Sequence, residues 1–397
     1  MKSISLSASV RLAIAGFSIF VAGCQKSIET PTTDLTEKNR KSLHDEEVRT
    51  NGFQQVNLVS DDGGFNPARI DANLQNAWGL AFAPSGPAWV NAQVTGISAV
   101  YNAMGGDVRP PVAIPSPGSP TGGGHPTGIV FNGSSGFKLS NGKPARFIFV
   151  GVDGVISGWN SGNSAERIYD NSATSVYTGL AIAANGQDSL IYAANFRTAS
   201  IDVYDQNWTR VNHKGFRDFF LPAGYAPFNI QNVGGNLFVN YAKVADDGDE
   251  EKGVGNGFVD VYRPDGRLIR RFASRGWLNA PWGVAMAPDG FASAQKWDDE
   301  DDDGHHGDND RRHHHDHRHA RQVFLIGNFG DGFINAFNEE GEFLGRLRSN
   351  GKPIQIDGLW AISFAPSTAT SIDPGWLFFA AGPDDETHGL FGYIRRQ

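Results

Sequence analysis

One short phrase recurs six times along the chain, and its spacing constrains the fold more than any other feature of the sequence. Successive copies begin about fifty residues apart, and only the last interval, which contains an insertion, is much longer. A period of this size is typical of solenoids and propellers. The copies are NAWGLAF at Asn76, HPTGIVF at His125, VYTGLAI at Val176, APFNIQN at Ala226, APWGVAM at Ala280 and GLWAISF at Gly358.

Each phrase is followed by further apolar segments in a constant order. After the first copy come AWVNA, ISAVYNA and VRPPVAI, and the third copy is followed in the same way, with FRDFFLP as its last segment. Alternation with a period of two, bounded by Gly, Asn-Gly and Asp-Gly turns, indicates antiparallel strands. Six four-stranded sheets around one axis form an all-β, six-bladed β-propeller, which is the predicted fold. We expect the Trp and Phe residues of the phrase to fill the core between blades.

The two ends of this repeat array complement each other. The sixth copy is followed by only two further strands before Gln397, whereas an extra strand, FQQVNLVSD from Phe53, precedes the first copy. We predict that the N-terminal strand closes the last blade, because closure removes an exposed sheet edge that would pair with other chains. We also expect a monomer.

The N-terminal residues resemble a bacterial lipoprotein signal. Lys2 and Arg11 flank the start of an apolar run, Leu12 to Val21, that is too short for a hydrocarbon core of roughly 30 Å. The run ends in VAGC, which resembles the lipobox whose cysteine is acylated. Cys24 is the only cysteine, so a disulfide framework is excluded.

These features predict three segments. Residues 1–23 form a lipoprotein signal peptide, residues 24–52 form a disordered tether or a short amphipathic helix, and residues 53–397 form the propeller. The resemblance implies lipid anchoring in a bacterial cell envelope with the propeller outside the cytoplasm. Gln25 is not the Asp of an inner-membrane signal, which favours the outer membrane.

The charge of the chain limits its partners. A net charge of -9 argues against nucleic acid, because a phosphate-binding face needs clustered Lys and Arg in excess of carboxylates. The sequence contains no nucleophilic Ser motif, paired Cys/His zinc spacing or phosphate loop. A second acidic segment, ADDGDEEKG from Ala245, is expected to be exposed to solvent.

A low-complexity insertion, residues 297–322, lies between the first and second strands of the fifth blade. It contains the D-x-D-x-D-G spacing of a calcium loop, which suits a divalent cation that needs several oxygen ligands, although such spacing arises easily in an acidic run. A His-rich tract follows and would bind transition metals loosely. The alternative is a solvated loop whose acidic and basic blocks neutralise each other. The candidate calcium ligands are Asp299, Asp301, Asp303 and Asp310.

Phe53 to Gln397, with its NAWGLAFAP and WVNA motifs, resembles an uncharacterised family of secreted bacterial propellers. More distantly, the repeated phrase resembles the inner strands of NHL-type and lactonase-like propellers. The lactonase-like resemblance implies a catalytic divalent ion held by a Glu, Asn residues and an Asp. Asp357 in IDGLW resembles the Asp-Gly of those sites, whereas no Glu precedes any of the six phrases.

The residues just before the inner strands are the candidate binding site, because those loops converge on one end of the central channel. Polar residues recur there and at the ends of the second strands. We predict a ligand or protein partner at this central mouth, with a metal-dependent hydrolase or lactonase as the alternative, and loop capping as the structural explanation of the same residues. The ligand-binding candidates are Asn76, His125, Asn279 and Asp357.

Overall fold

A computed structural model describes residues 50–212, 215–292 and 322–397. Their regular secondary structure is entirely β-strand. No helix in these ranges has the length and apolar character needed to cross a membrane.

The strands form six sheets arranged as blades, and the first half of the chain supplies three of them. Two strands, β1 (Phe53–Ser60) and β2 (Arg69–Ile70), precede the first blade. Blade 1 contains β3 (Ala77–Phe82), β4 (Ala88–Ala92), β5 (Ile97–Tyr101) and β6 (Val112–Ala113). Blade 2 contains β7 (Pro126–Phe131), β8 (Phe147–Gly151), β9 (Val155–Trp159) and β10 (Glu166–Asp170). Blade 3 contains β11 (Tyr177–Asn185), β12 (Asp188–Asn195), β13 (Ser200–Asp205) and β14 (Arg210–Val211).

The second half of the chain supplies the other three blades and a small hairpin. Blade 4 contains β15 (Tyr225–Val233), β16 (Asn236–Lys243), β17 (Gly257–Tyr262) and β18 (Leu268–Ser274). Blade 5 contains β19 (Pro281–Met286), β20 (Phe324–Asn328), β21 (Ile334–Phe337) and β22 (Phe343–Arg346). The hairpin is formed by β23 (Arg348–Ser349) and β24 (Lys352–Pro353). Blade 6 contains β25 (Leu359–Phe364), β26 (Leu377–Ala381) and β27 (Leu390–Arg396).

Blade 6 is completed by the N-terminal strand, as predicted. Strand β1 lies antiparallel to β27, with Phe53 opposite Arg396 and Ser60 opposite Leu390. The short strand β2 then lies parallel to the far edge of β1. Backbone hydrogen bonds from both ends of the repeat array therefore close the ring.

Close approach between neighbouring inner strands explains the glycine in the repeated phrase. A Cβ atom on Gly79 would lie 2.1 Å from the Thr127 carbonyl oxygen of blade 2, and one on Gly283 would lie 2.7 Å from the Ile362 nitrogen of blade 6. Real Cβ atoms do not approach so closely. The phrase repeats because each inner strand must fit tightly against the next one around the axis.

The tryptophans of the phrase fill the central channel rather than the core between blades. Trp78 stacks on Trp360 with ring centroids 3.5 Å apart. Trp282 of blade 5 donates from Nε1 to the Thr178 carbonyl of blade 3 at 3.0 Å, across the axis. The expected position between blades is therefore wrong for these tryptophans, whereas Phe82 does pack between blades, against Phe378 at 5.4 Å. These large tryptophan side chains plug the channel.

The outer strand of blade 3 also differs from its predicted position. The segment FRDFFLP, residues 216–222, contains no strand, and the blade ends instead with β14. The backbone nitrogen of Phe216 donates to the Gly266 carbonyl at 2.7 Å, and Asp218 forms an ion pair with Arg271, so the segment is held against blade 4. Phe219 and Phe220 are left exposed.

Candidate functional site

All six inner strands begin at one end of the channel, and the connections between second and third strands lie at the same end. We call this end the mouth. Because the predicted residues precede the inner strands by one or two residues, the structure places all four candidates there. They differ in what their side chains contact.

Asn76 lies at the centre of a polar network. Its side chain is buried, and its Nδ2 atom donates to Gln93 Oε1 at 3.2 Å and to Glu386 Oε2 at 2.7 Å. Its Oδ1 atom accepts a hydrogen bond from Trp360 Nε1 at 2.9 Å. The amide is therefore fully engaged, and it fixes the orientation of the Glu386 carboxylate.

His125 is exposed and joins this network through Gln93. Its Nδ1 atom lies 3.3 Å from the Gln93 carbonyl oxygen and 3.5 Å from Gln93 Nε2. Its backbone nitrogen donates to Asp153 Oδ2 at 3.2 Å. Burial raises the pKa of the Asp153 carboxyl, although this hydrogen bond and one from Val155 oppose the shift. Blades 1, 2 and 6 are thus connected by polar contacts at the mouth.

Asn279 and Asp357 lie outside that network and contact backbone. The Oδ1 atom of the buried Asn279 accepts from the Gly253 nitrogen at 2.7 Å. The Oδ2 atom of the exposed Asp357 accepts from the Asp384 nitrogen at 2.8 Å. Both side chains cap mouth loops, and a direct role in ligand binding stays a prediction for them.

Two asparagines at the ends of second strands, Asn91 and Asn240, are buried and connect neighbouring blades. Asn91 Nδ2 donates to the Thr127 carbonyl of the next blade at 3.0 Å. Asn240 Nδ2 donates to the Trp282 carbonyl of the next blade at 2.5 Å. Because Thr127 and Trp282 occupy equivalent positions of the phrase, the same interblade contact is made twice.

The connection between β16 and β17, residues 244–256, extends over the mouth. The tip of its acidic segment, ADDGDEEKG, is exposed as expected, but the expectation is wrong for Glu250, which is half-buried. Further along this connection, Lys252 Nζ lies 4.6 Å from the centre of the Phe329 ring of blade 5. The same atom lies 3.8 Å from Asp385 Oδ1 of blade 6. This connection therefore reaches from blade 4 to blade 6.

Besides Asp153, two further carboxylates of the mouth have raised pKa values. Burial raises the pKa of Glu250 to about 7, and the charge of Glu386 adds to the shift while Lys252 opposes it. Burial also raises the pKa of Glu386, against the opposing effects of the Asn76 hydrogen bond and Lys252. A cation beside these groups would stabilise their ionised forms.

Stacked aromatic rings form the floor of the mouth. Phe329 stacks on Trp360 with ring centroids 3.8 Å apart, and Trp360 stacks in turn on Trp78. The Lys252 ammonium lies over the outermost ring of this stack. The mouth thus combines the two features that proteins use to hold an ammonium group, namely carboxylates and an aromatic face.

A binding role for Glu250, Lys252 and Glu386 was not predicted from the sequence, although one feature of the sequence points to them. Connections 244–256 and 382–389 are longer than the corresponding connections of other blades, such as 93–96. These residues lie outside the repeated phrases. The two connections that carry them come close together only in the folded ring.

The predicted calcium ligands Asp299, Asp301, Asp303 and Asp310, like Cys24, lie outside the described residues. Within the described ranges, one three-residue group has the spacing of a metal site, with ligand atoms within 4.8 Å of one another. It contains none of the predicted ligands, and the hydrolase alternative stays a prediction. The group consists of Asp61, Asp62 and His388.

The fold and the mouth define a six-bladed β-propeller whose opening is lined by carboxylates above a floor of aromatic rings.

No family model matches the chain. It is 30% identical over 364 residues to uncharacterized protein L690 of Acanthamoeba polyphaga mimivirus, covering 86% of this chain and 85% of that protein. The chain therefore belongs to the same family as that protein. Uncharacterized protein R648 of the same virus is 28% identical over 358 residues, covering 86% of this chain and 80% of its own length.

Two solved structures are similar in outline. Virginiamycin B lyase from Staphylococcus aureus has 13% identity and a TM-score of 0.45, covering 88% of this chain and 99% of that chain. The WD40 β-propeller domain of Doa1 has 10% identity and a TM-score of 0.42, covering 87% of this chain and 98% of that chain.

The relatives correct one prediction from the sequence. A location in a bacterial cell envelope is wrong, because these curated relatives are proteins of a giant virus of amoeba. That prediction depended on the short VAGC motif and on the resemblance to secreted bacterial propellers. A motif of four residues after an apolar run carries little information about the source of a chain.

Proposed function

We propose that this propeller is a binding protein whose mouth takes a small cationic ligand through an ammonium group. The observation that carries the proposal is the position of Lys252, whose ammonium lies over the Phe329 ring and near Asp385. The chain thus supplies a cation of its own at the place where a ligand ammonium would bind. An anionic ligand at this place would be repelled by the nearby carboxylates of Glu250 and Glu386.

Two physical terms favour a cation at this position. An ammonium over an aromatic face gains about 0.5–2 kcal/mol, depending on how far it is desolvated. Carboxylates that are partly removed from water attract it more strongly than exposed ones, because the effective dielectric constant is lower. Glu250 and Glu386 are both half-buried, so each would contribute to this attraction.

Asn76 is a positioning residue, because it holds the Glu386 carboxylate. Its hydrogen bond holds Glu386 Oε2 at 2.7 Å, and its own orientation is fixed by Trp360 and Gln93. The carboxylate is therefore oriented before a ligand arrives. Because the Glu386 carboxylate is already oriented, less conformational entropy is lost when a ligand binds.

Calorimetric titration of the full chain with spermidine, a small polyamine, tests the proposal. We expect saturable binding that Glu386→Gln weakens by about tenfold, which corresponds to 1.4 kcal/mol. The matched control is Glu340→Gln, which removes an equal charge from an exposed carboxyl in the turn between β21 and β22. Equal affinities of the two variants, or an absence of binding by the parent chain, would contradict the proposal.

A further inference from the structure

A cavity of about 400 Å³ lies at the end of the channel opposite the mouth. Its walls are the later residues of the inner strands, and all six blades contribute to them. Trp282 belongs to its lining and also to the aromatic plug of the channel, so the plug separates this cavity from the mouth. The volume falls in the range of sites that bind small molecules.

The lining of this cavity is uncharged. It is formed mainly by aliphatic side chains such as Leu80, Val130 and Ile182, and its polar side chains are amides. An ion transferred into such surroundings would lose its hydration without gaining a partner of opposite charge. The cavity therefore selects against charged ligands, in contrast to the mouth.

The side-chain amides of the lining differ in how many of their donors and acceptors already form hydrogen bonds within the protein. Asn232 Nδ2 donates to the Ile182 carbonyl at 2.9 Å, and Asn229 Nδ2 donates to the Trp282 carbonyl at 2.7 Å. Gln231 Oε1 accepts from the Val284 nitrogen at 2.9 Å. Among the described residues no acceptor lies in hydrogen-bond contact with Gln231 Nε2, so this group is a donor that the lining offers to a ligand.

We propose that this cavity is a second binding site, for an uncharged and mainly apolar small molecule that carries a carbonyl acceptor. Such a ligand would bury its apolar surface against the aliphatic walls. Its carbonyl oxygen would accept from Gln231 Nε2, which orients the ligand along the channel. This site goes beyond the proposed function, and neither site requires the other.

Fluorescence titration with Nile red, an uncharged apolar dye that carries a carbonyl, tests the inference on the full chain. We expect one saturable site in the parent chain. Ile182→Trp fills part of the cavity and should weaken binding by at least about tenfold. The matched control, Ile70→Trp, places the same residue at an exposed position on β2 and should leave binding unchanged.

Two further variants separate the possible results. Gln231→Leu should weaken Nile red binding less than the filled cavity does, and Glu386→Gln at the mouth should have no effect. If Ile182→Trp fails to fold, as judged by circular dichroism, Val130→Phe carries the same test at another wall of the cavity. Parent-like binding by a folded cavity variant, or loss of binding in Glu386→Gln, would overturn the inference.

Discussion

Asn76 Nδ2 donates to Glu386 Oε2 at 2.7 Å, and this bond joins blade 1 to blade 6 across 310 residues of sequence. The backbone of Asn76 has φ 47°, in the left-handed region that asparagine tolerates better than most residues. One residue thus combines a strained backbone position, a buried amide and the support of a mouth carboxylate.

Replacement of Asn76 should lower the free energy of unfolding in two ways, through the loss of its side-chain hydrogen bonds and through its left-handed backbone conformation. Asn76→Gly removes the side-chain hydrogen bonds but accepts the positive φ, and we expect a loss of about 1–3 kcal/mol from unsatisfied buried groups. Asn76→Ala adds the cost of a left-handed backbone, about 1–2 kcal/mol more. Urea unfolding of both variants measures the difference. Equal stabilities would show that the backbone conformation carries no strain.

Closure of the ring by β1 should dominate the stability of blade 6. Phe53 is fully buried and packs on Phe291 with ring centroids 4.9 Å apart. Phe53→Ala should therefore cost about 3–5 kcal/mol. Ile70→Ala, on the exposed strand β2, should change stability by no more than about 0.5 kcal/mol. A similar melting temperature for the two variants would show that β1 contributes little to the fold.

The half-buried position of Glu250 predicts a pH dependence of stability. Its folded-state pKa of about 7 lies above the ordinary value of 4.5, so the folded chain binds the extra proton between these values. Stability should therefore fall as the pH rises through this window, because the unfolded chain binds fewer protons there. Glu250→Gln should raise the melting temperature at pH 8 and have little effect at pH 4.

The control for this pH effect is Glu340→Gln, at an exposed carboxyl. It should shift the melting temperature by the same small amount at both pH values. A stabilisation by Glu250→Gln that is equal at pH 4 and pH 8 would contradict the assignment of the effect to ionisation.

The repeated phrases and the number of strands predicted the closed propeller ring. The mouth is formed by connections that differ from blade to blade, and these were not predicted. The missing strand after the last phrase and the extra strand from Phe53 were enough to predict closure. The direction of Trp282 was not predictable, because the pairing of β19 with β20 shifts register between Pro281 and Val284. The segment 216–222 resembles a strand in its apolar pattern, yet it contacts blade 4 and forms no strand.

At the mouth, residues of the repeated phrases were predictable and residues of the blade-specific connections were not. Asn76 was predictable because it precedes a repeated phrase. Glu250 and Glu386 were not, because they lie in connections of unequal length that meet only after the ring closes. Repetition identifies the residues that every blade needs, and a binding site is built from residues that only some blades have.

We expect the mouth to accept a ligand ammonium group at the place where the Lys252 ammonium now lies. Lys252→Met removes the resident cation, keeps a side chain of similar length and leaves the mouth carboxylates in place. Calorimetric titration with spermidine should then give tighter binding than in the parent chain, by about tenfold if the two ammonium groups compete for one place. Equal or weaker binding by a folded Lys252→Met variant would contradict the claim.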